Sequence, residues 1–515
     1  MARQLKAVFE LEGTLKCDTA LCVAHGDSGM TDDIVCLRDG QGRLIIPGTA
    51  LAGVLRHQLG KNKKWGDDHN PADPLPPRPA QDTWGSSVWV EDSVMTSHQQ
   101  GHSLTMERRD GVGIDRVTGT AETGVLYSRE VVPANTQFDV RITVEQPAAD
   151  QGDEARDLFV AVVTLLKAGI SVGGATSRGL GRIMLQGPPR LECRKVDTKK
   201  SMIALLRGLP GQTVDVTGQQ LSSRMSITIP WRPTGPLLVM AAANGLADGV
   251  PLTTESGGEV RFVIPGSSIK GVLRARAERI LRTLSPDSQN PDLRLTEALF
   301  GSAPVRTSTG NRGALTVFDC HSFAVGMWAD LMRSVEVARS DDPKRQIINA
   351  RDKAKRSRVE LLDHVGLDRW SGGSDDGRLF SLIAPLAPAG GGQGVQWNPI
   401  RMELDSSRLP QKAETVGDPR VPSFETALAL LALVLRDFAD GELPLGHGTT
   451  RGYGEISGKV EDMKVASAES SFKSIGQLLA SPEGNSAEFV SKVQTAWAAF
   501  ADSFVLGERQ EEHSA

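Results

Sequence analysis

Arginines set among glycines and hydroxyl residues are the side chains of this sequence best suited to chemistry, and they occur in matched sets. Residues 46–56 read IPGTALAGVLR, and residues 264–274 read IPGSSIKGVLR. In each, a proline ends a strand, a glycine permits close backbone approach, and a hydroxyl residue stands at the start of a helix. Amides at a helix N-terminus bind phosphate, and an arginine two turns later adds a charged donor. The candidate phosphate contacts are Gly48, Thr49, Arg56, Gly266, Ser267, Ser268 and Arg274.

A second pair of segments is rich in glycine and follows the helix starts in the same order. Residues 173–181 read GGATSRGLG, and residues 446–454 read GHGTTRGYG. Glycines on both sides of an arginine let backbone amides face a phosphate chain, as in other anion-binding nests. Neither segment ends with the Gly-Lys-Ser/Thr of a Walker A loop, and neither lies in the βαβ context of a dinucleotide fingerprint. The candidate contacts are Gly174, Arg178, Gly179, Gly448, Arg451 and Gly452.

A third internal match lies in a long insertion of each half, where 113–116 reads GIDR and 366–369 reads GLDR. An exposed hairpin that carries arginine and small residues could wedge into a nucleic-acid strand. A solvated hairpin with a local Asp–Arg pair fits the sequence equally well. The candidate wedge residues are Ile114, Arg116, Leu367 and Arg369.

The recurrence of these motifs in one order indicates two homologous domains in one chain. Any single motif also fits a plain structural role, a capped helix or a tight turn, but the recurrence favours anion binding. The sequence predicts a first domain at 1–187, a linker at 188–223, a second domain at 224–460 and a helical C-terminal extension at 461–515.

Each predicted domain interleaves short strands with two helices, which indicates an α+β fold. We expect two tandem βαββαβ domains of ferredoxin-like or RRM-like plan, each with an inserted hairpin. Such a sheet leaves one face open, and many RNA-binding proteins use that face.

Composition narrows the class of protein. The chain is 39% hydrophobic and 23% charged, as is usual for a globular protein, and its net charge of -5 argues against binding naked duplex by charge alone. The first residues lack the apolar core of a signal peptide, and the most apolar stretch, 427–435, is too short to span a bilayer. Five cysteines without CxxC pairs fit a reducing compartment and argue against a zinc ribbon. We therefore expect a cytoplasmic protein with no membrane partner.

Together, the three motifs resemble the RAMP superfamily of CRISPR–Cas proteins over roughly 6–187 and 224–460. More narrowly, they resemble the backbone subunits of type III effector complexes. Because both halves match one backbone type, the chain resembles a fused double-backbone subunit of the type III-D kind. The resemblance implies a modified RNA-recognition fold with a thumb-like hairpin in each half. It also implies CRISPR RNA, complementary target RNA and other effector subunits as partners.

The resemblance further implies a catalytic aspartate on the loop before each Pro-Gly strand. In the first half this position is Asp33, with Asp32 as its near competitor and Asp27 further away. In the second half it is Asp248, which precedes a slightly longer turn. We expect both aspartates to promote metal-dependent cleavage of the bound target RNA.

The chemistry of RNA is consistent with such a site. RNA carries its own nucleophile, the 2′-hydroxyl, and a splayed strand can bring it in line with the bond to be broken. A carboxylate there could hold a hydrated Mg²⁺, or another divalent cation, or help orient the hydroxyl. A single aspartate is a poor metal cage, so metal binding is expected to be weak without RNA.

One position departs from the family pattern, and the histidines leave an alternative open. The family often has a lysine four residues after the motif glycine; Lys270 fits, but Ala52 replaces it in the first half. Some RAMP relatives process CRISPR RNA with a histidine, and His25 and His447 lie in motif loops. His98 and His102 have metal-like spacing, but no third ligand stands near them. The rival functions are therefore a non-catalytic RNA-binding scaffold and a CRISPR RNA-processing ribonuclease.

Overall fold

The computed structural model describes most of the chain, which divides into two compact units. The described residues are 4–24, 32–60, 65, 85–96, 106–115, 118–148, 152–216, 224–242, 247–256, 259–285, 291–303, 310–325, 358–388, 394–409, 420–467 and 472–511. The first unit comprises 1–111, 126–176 and 180–221, and the second comprises 112–125, 177–179 and 222–515.

An eight-stranded sheet forms the framework of the first unit. Its central strand, β1, alternates buried and partly exposed residues, and Leu11 and Leu15 are fully buried. The strands are β1 (Leu5–Cys17), β2 (Ile45–Ile46), β3 (Val88–Val90), β4 (Ser93–Met95), β7 (Gln137–Pro147), β8 (Ile170–Ser171), β9 (Arg182–Lys195) and β10 (Gln212–Thr213). The order is β10-β9-β1-β7-β4-β2, with β3 against β7 and β8 against β9, and all of these pairs are antiparallel.

Three helices accompany this sheet: α1 (Gly48–Leu59), α2 (Glu154–Ala168) and α3 (Lys199–Leu206). The apolar residues of α2 recur at helical spacing and are buried. Phe159 of α2 packs on Phe9 of β1 with ring centroids 5.6 Å apart. The core of the first unit therefore lies between α2 and the sheet.

The predicted linker at 188–223 is described as far as residue 216, and this part belongs to the first unit. Strand β9 continues through this stretch to Lys195 and pairs with β1, and β10 then pairs with β9. Pro188 and Pro189 lie where the β1–β9 register shifts, and a bulge tolerates residues that cannot donate. The first unit therefore extends well beyond residue 187.

The main sheet of the second unit has four antiparallel strands in the order β17-β21-β11-β23. Its helices are α4 (Gly266–Leu284), α5 (Arg294–Phe300) and α6 (Phe424–Ala439). Helix α6 begins at a capping box of Ser423 and Thr426 and is buried along most of its length. The strands of this sheet are β11 (Arg224–Ile229), β17 (Leu315–Val317), β21 (Ile400–Asp405) and β23 (Lys464–Ala466).

Three smaller sheets complete the described part of the second unit. They pair β12 with β22, and they have the orders β13-β14-β20-β19 and β15-β16-β18. The strands are β12 (Trp231–Pro233), β13 (Met240–Ala242), β14 (Gly249–Pro251), β15 (Thr253–Ser256), β16 (Glu259–Ile264), β18 (Cys320–His321), β19 (Val359–Leu367), β20 (Ser374–Pro385) and β22 (Ile456–Gly458).

The described parts of the C-terminal stretch, 461–467 and 472–511, pack as part of the second unit rather than as a separate extension. Strand β23 pairs with β11, and the helices α7 (Ile475–Leu479) and α8 (Ala487–Glu511) follow it. Phe500 and Phe504 are buried in the same core as α6. Truncation before β23 would therefore remove a strand of the main sheet.

Each half also carries a long hairpin: β5 (Glu107–Ile114) with β6 (Ala121–Val131), and β19 with β20. The predicted α+β class is confirmed, because both units combine helices with largely antiparallel sheets. In the described part of the chain, no helix has the length and apolarity needed to cross a membrane.

Candidate nucleic-acid interface

The two Pro-Gly helix starts have the same geometry. The amide of Gly48 donates to Oδ1 of Asp92 at 2.8 Å, and the amide of Gly266 donates to Oδ1 of Asp319 at 2.8 Å. A Cβ on Gly48 would lie 2.0 Å from the carbonyl oxygen of Val90, and a Cβ on Gly266 would meet the equivalent strand equally closely. Only glycine fits either position, so both motif glycines are required by packing.

Asp92 and Asp319 were not predicted, although the sequence does contain a signal for them. Each follows a valine at the end of the next strand, in the repeated pattern Val-x-Asp. A carboxylate at a helix N-terminus satisfies an amide and interacts favourably with the helix dipole. The first amide of α1 and of α4 is therefore already occupied by protein. An RNA phosphate there would need other groups.

The hydroxyl residues at these helix starts do not cap the helices. The N-cap positions are Pro47 and Pro265, and neither helix has a side-chain cap. Thr49 and Ser267 are exposed in the first turn, and Ser268 is half-buried. The hydroxyls of Thr49 and Ser267 are therefore at the surface of the described part of the chain.

The cations of these helices are mostly directed into the protein. Lys270 is only 6% exposed, and its ammonium donates to the carbonyl of Leu315 at 2.7 Å. Burial lowers the pKa of Lys270 to about 7. Arg274 donates to Oε1 of Glu278 at 2.7 Å and to the carbonyl of Gly301 at 2.9 Å. The fold thus accounts for Lys270 and Arg274 without RNA, while Arg56 is half-buried on α1.

The glycine-rich segments form the same loop in both copies. Gly173 and Gly446 have left-handed φ values of +86° and +90°. A Cβ on either would lie 2.4 Å from a carbonyl oxygen, that of Cys22 or of Leu238. At these glycines the loop packs directly against the segment that follows the first strand of each copy. A side chain would collide with that segment, and the left-handed backbone also favours glycine.

Each loop presents its arginine on a short 3₁₀ turn. The turns are Thr176–Arg178 and Thr449–Arg451, and Arg178 and Arg451 are both exposed. Gly179, Gly448 and Gly452 have left-handed backbone. Gly174 is exposed, and its amide donates to the carbonyl of Cys22 at 2.8 Å. Both loop arginines are therefore accessible at the protein surface.

The two candidate catalytic aspartates occupy matching positions. Both are exposed. Oδ2 of Asp33 accepts from the amide of Ser128 at 2.7 Å, and Oδ2 of Asp248 accepts from the amide of Ser381 at 2.7 Å. In each copy the residue after the aspartate forms a parallel β-bridge with the residue after the serine: Ile34 with Arg129, and Gly249 with Leu382. The fold therefore makes Asp33 the equivalent of Asp248.

Asp32 has a different environment. Its side chain is 15% exposed and lies 3.2 Å from Nε of Arg108, which is also 3.3 Å from Asp110. In the second copy the candidate site has another neighbour, since Oγ of Ser381 donates to Oδ1 of Asp363 at 2.8 Å. Asp32 is thus part of an ion-pair cluster beside the site, and Asp33 faces outward.

The hairpins that carry these serines are matched without a gap. Asp115 and Ser128 have the same spacing as Asp368 and Ser381. Asp115 accepts at Oδ1 from the amide of Thr118 at 2.7 Å, and Asp368 accepts from the amides of its own turn. Those turn amides, led by that of Trp370, lower the pKa of Asp368. The motif aspartates therefore shape the hairpin tips.

The hairpin tips present apolar side chains to solvent. Trp370 is 98% exposed, and Leu379 and Leu367 are 71% and 62% exposed. Ile114 and Leu126 are exposed on the first hairpin, and Arg369 is exposed beside Trp370. An apolar ribbon of this kind indicates a binding surface. Arg116, Asp27, His25, His98 and His102 lie outside the described residues.

A cluster specific to the second unit joins its glycine-rich loop to its hairpin. Nε2 of His447 lies 3.0 Å from Nη2 of Arg451, whose guanidinium carbon lies 5.7 Å from the ring centroid of Phe380. His364 stacks on Phe380 at 5.1 Å, and its Nε2 lies 2.9 Å from the hydroxyl of Tyr453. Burial, and then Arg451 and His364, lower the pKa of His447. No group of three or more metal-ligating side chains is found in the ranges that the structure describes.

A family model of the RAMP superfamily matches residues 14–184 and 251–457 of this sequence. These two regions cover more than half of the chain and contain both sets of motifs. The chain belongs to the RAMP superfamily. RAMP proteins are generally CRISPR-associated RNA-binding proteins, and they typically bind CRISPR RNA within multisubunit complexes. No curated protein matches the sequence significantly.

Because both regions match the same family model, we attribute their similar geometry to a common origin. Each region contains an arginine on a glycine-rich loop, a glycine at a helix start and an exposed hairpin. The aspartate–serine pair recurs in both halves, although Asp248 itself precedes the second matched region. Repetition of these contacts shows that they belong to the domain plan rather than to one local loop.

Proposed function

We propose that this chain is a backbone subunit of a type III, type III-D-like, CRISPR effector, with two backbone domains fused. It binds CRISPR RNA and cleaves the paired target RNA at Asp33 and Asp248. The observation that carries the proposal is the repeated aspartate–serine contact. Two exposed carboxylates are held at 2.7 Å by serine amides at the bases of two matched hairpins.

The strand orders support a ferredoxin-like plan for both domains. In the first unit β9, β1, β7 and β3 are neighbours in that order, and in the second the order is β23-β11-β21-β17. Numbered within each domain, both are fourth, first, third and second, with a helix after the first strand and another after the third. This is the βαββαβ order that RNA-recognition folds share.

RNA binding is supported by the loop arginines and the exposed hairpins. Arg178 and Arg451 stand exposed among left-handed glycines, where guanidinium and amide donors can together meet a phosphate. The hairpins offer apolar side chains, among them Trp370, on which bases can stack. The net charge of -5 makes such local contacts, rather than a general field, the source of affinity.

The donor chemistry of the candidate sites fits a divalent cation that RNA helps to hold. The contacts of the Asp33 and Asp248 carboxylates with described residues use Oδ2. A remaining carboxylate oxygen suits Mg²⁺, which binds through one or two carboxylates, several waters and substrate phosphates. When bound, the cation would supply positive charge for the oxygens of the scissile phosphate.

The protein's own contribution is then orientation. The serine amides fix the carboxylates, and the hairpins hold the RNA strand open beside them. In the reaction the 2′-oxygen bonds to phosphorus, the bond from phosphorus to the 5′-oxygen breaks, and the proton passes from the 2′-hydroxyl to the leaving oxygen through solvent. An aspartate that holds the hydroxyl and phosphate in line lowers the barrier by positioning.

The assembled complex, purified from cells that carry the CRISPR array and the partner subunits, tests this proposal. We expect it to contain CRISPR RNA and to cut a complementary RNA only when a divalent cation is present. A scrambled target is the control for pairing. A complex that contains no CRISPR RNA would contradict the backbone assignment. If the guide-loaded complex leaves the target RNA intact, the chain is an RNA-binding scaffold, and the proposal that Asp33 and Asp248 cleave RNA is wrong.

A further inference from the structure

The two copies differ most where the glycine-rich loop meets the hairpin. By its place in the motif, His447 of the second loop corresponds to Gly174 of the first. Along the matched hairpins, His364 corresponds to Gly111 and Phe380 to Tyr127. The second unit therefore has two imidazoles at positions where the first copy has glycines.

His447 contacts Arg451 directly, and His364 stacks on Phe380, the ring against which Arg451 lies. A guanidinium has no lone pair, so Nη2 of Arg451 is the donor in its 3.0 Å contact with Nε2 of His447. His447 must therefore be unprotonated at Nε2 when this contact exists. Below the guanidinium, the ring of Phe380 is held between Arg451 and His364. His364 is in turn fixed by the hydroxyl of Tyr453, which is buried.

We propose that His447 is a positioning residue that holds the guanidinium of Arg451 ready for an RNA phosphate. At the matching position of the first loop stands Gly174, which has no side chain. This inference rests on the proposed function, because it assumes that the loop arginines contact RNA.

The physical basis is the cost of ordering a long side chain. A free arginine loses much of its rotamer freedom when it binds a phosphate, and an arginine that is already ordered avoids part of that loss. Arg451 is exposed, so its donors that do not face His447 can form a fork toward a phosphate.

Protonation of His447 should make RNA binding depend on pH. The titratable groups that face His447 are Arg451 and Tyr453 of its own loop and His364 of β19, with Glu360 near Tyr453. In the free protein, burial and then the neighbouring Arg451 and His364 lower the pKa of His447, which disfavours the imidazolium. A bound phosphate favours it, so binding takes up a proton and RNA affinity increases as the pH falls through the histidine range. Acid releases Arg451 from His447 while the phosphate holds both cations.

Full-length protein and a fluorescein-labelled single-stranded RNA provide the test, with affinity measured by anisotropy at constant salt at about pH 8 and about pH 6. The variants are His447→Gly, His447→Gln, and Gly174→His in the first loop. Glycine already occupies the position of His447 in the first copy, so the loop tolerates it. A Cβ on Gly174 would meet only the carbonyl of Cys22, at 3.7 Å, so the reciprocal variant also fits.

We expect His447→Gly to bind RNA about two- to ten-fold more weakly at about pH 8, the range of one hydrogen bond. His447→Gln should retain the affinity, because its amide oxygen accepts from Arg451, but should lose part of the tightening at low pH. Gly174→His leaves His447 and Arg451 in place, so it should bind RNA at least as tightly as the wild type.

Two results would overturn the proposal, and they are distinguishable. If Arg451→Ala weakens binding while His447→Gly binds as the wild type does at both pH values, His447 has no positioning role. If the wild type does not bind the RNA and Arg178→Ala and Arg451→Ala change nothing, the proposed function fails together with this inference.

Discussion

Ser381 and Asp248 are joined in both directions: the serine amide donates to Oδ2 of the aspartate at 2.7 Å, and the aspartate amide donates to the serine carbonyl at 2.8 Å. Ser128 and Asp33 are likewise joined in both directions, through the serine amide and hydroxyl. These two contacts connect residues far apart in sequence. They place a carboxylate at the base of each hairpin and relate the two halves more directly than the loop sequences do.

The glycines at the helix starts give a stability test with internal controls. We expect Gly266→Ala to destabilise the protein by about 3 kcal/mol or more, because its Cβ would lie 2.1 Å from the carbonyl oxygen of Val317. Gly271→Ala, in the same helix, should stabilise it by up to about 1 kcal/mol, since a Cβ there meets nothing within 4 Å. Urea denaturation measures both. Equal effects at the two positions would contradict the packing role of the motif glycine.

Lys270 predicts a pH dependence of stability. Its pKa is about 7 in the folded protein, whereas a solvated lysine of the unfolded chain titrates near about 10.4. Between these values the unfolded chain binds more protons, so this lysine makes the free energy of unfolding rise with pH. Urea denaturation at about pH 7 and about pH 9 should show a rise roughly 1–2 kcal/mol larger in the wild type than in Lys270→Met. Equal rises in the two proteins would show that Lys270 is charged throughout.

Trp370 separates the role of the hairpin tip from stability. It is 98% exposed, so Trp370→Ala should leave the midpoint of thermal unfolding within about 2 °C of the wild type. If the tip stacks on RNA bases, the same variant should weaken target binding by the guide-loaded complex about ten-fold or more. Trp89→Ala is the matched control, because Trp89 is also exposed but lies on β3. Equal binding losses in both variants would contradict a specific role for the tip.

The sequence predicted those features that depend on repetition or on short-range chemistry. The two helix starts, the two glycine-rich loops and the hairpins with their Asp-containing tips lie where the repeats indicated. The positions of Asp33 and Asp248 followed from the family resemblance, and the structure adds their common contact with a serine. The choice between Asp32 and Asp33 required the structure, because only the fold brings Arg108 beside one and Ser128 beside the other.

What the sequence did not predict depends on contacts between distant segments. Asp92 and Asp319 lie just after the strands that follow the two helices, and each accepts a hydrogen bond from the first amide of its helix. The predicted linker at 188–223 begins within β9, and the pairing of β9 with the distant strand β1 makes it part of the first unit's sheet. Lys270 matches a family position for RNA contact, but its environment depends on where β17 packs. Local residue patterns contain none of this information.

Mapping of cleavage products by the guide-loaded complex tests the central claim most directly. An end-labelled complementary RNA with a divalent cation is incubated with wild type, Asp33→Asn, Asp248→Asn, the double variant, and Asp32→Asn as the control. We expect each of the first two variants to lose one product and keep the other, the double variant to lose both, and the control to keep both. A product pattern unchanged in the double variant would contradict the claim that this chain carries two cleavage sites.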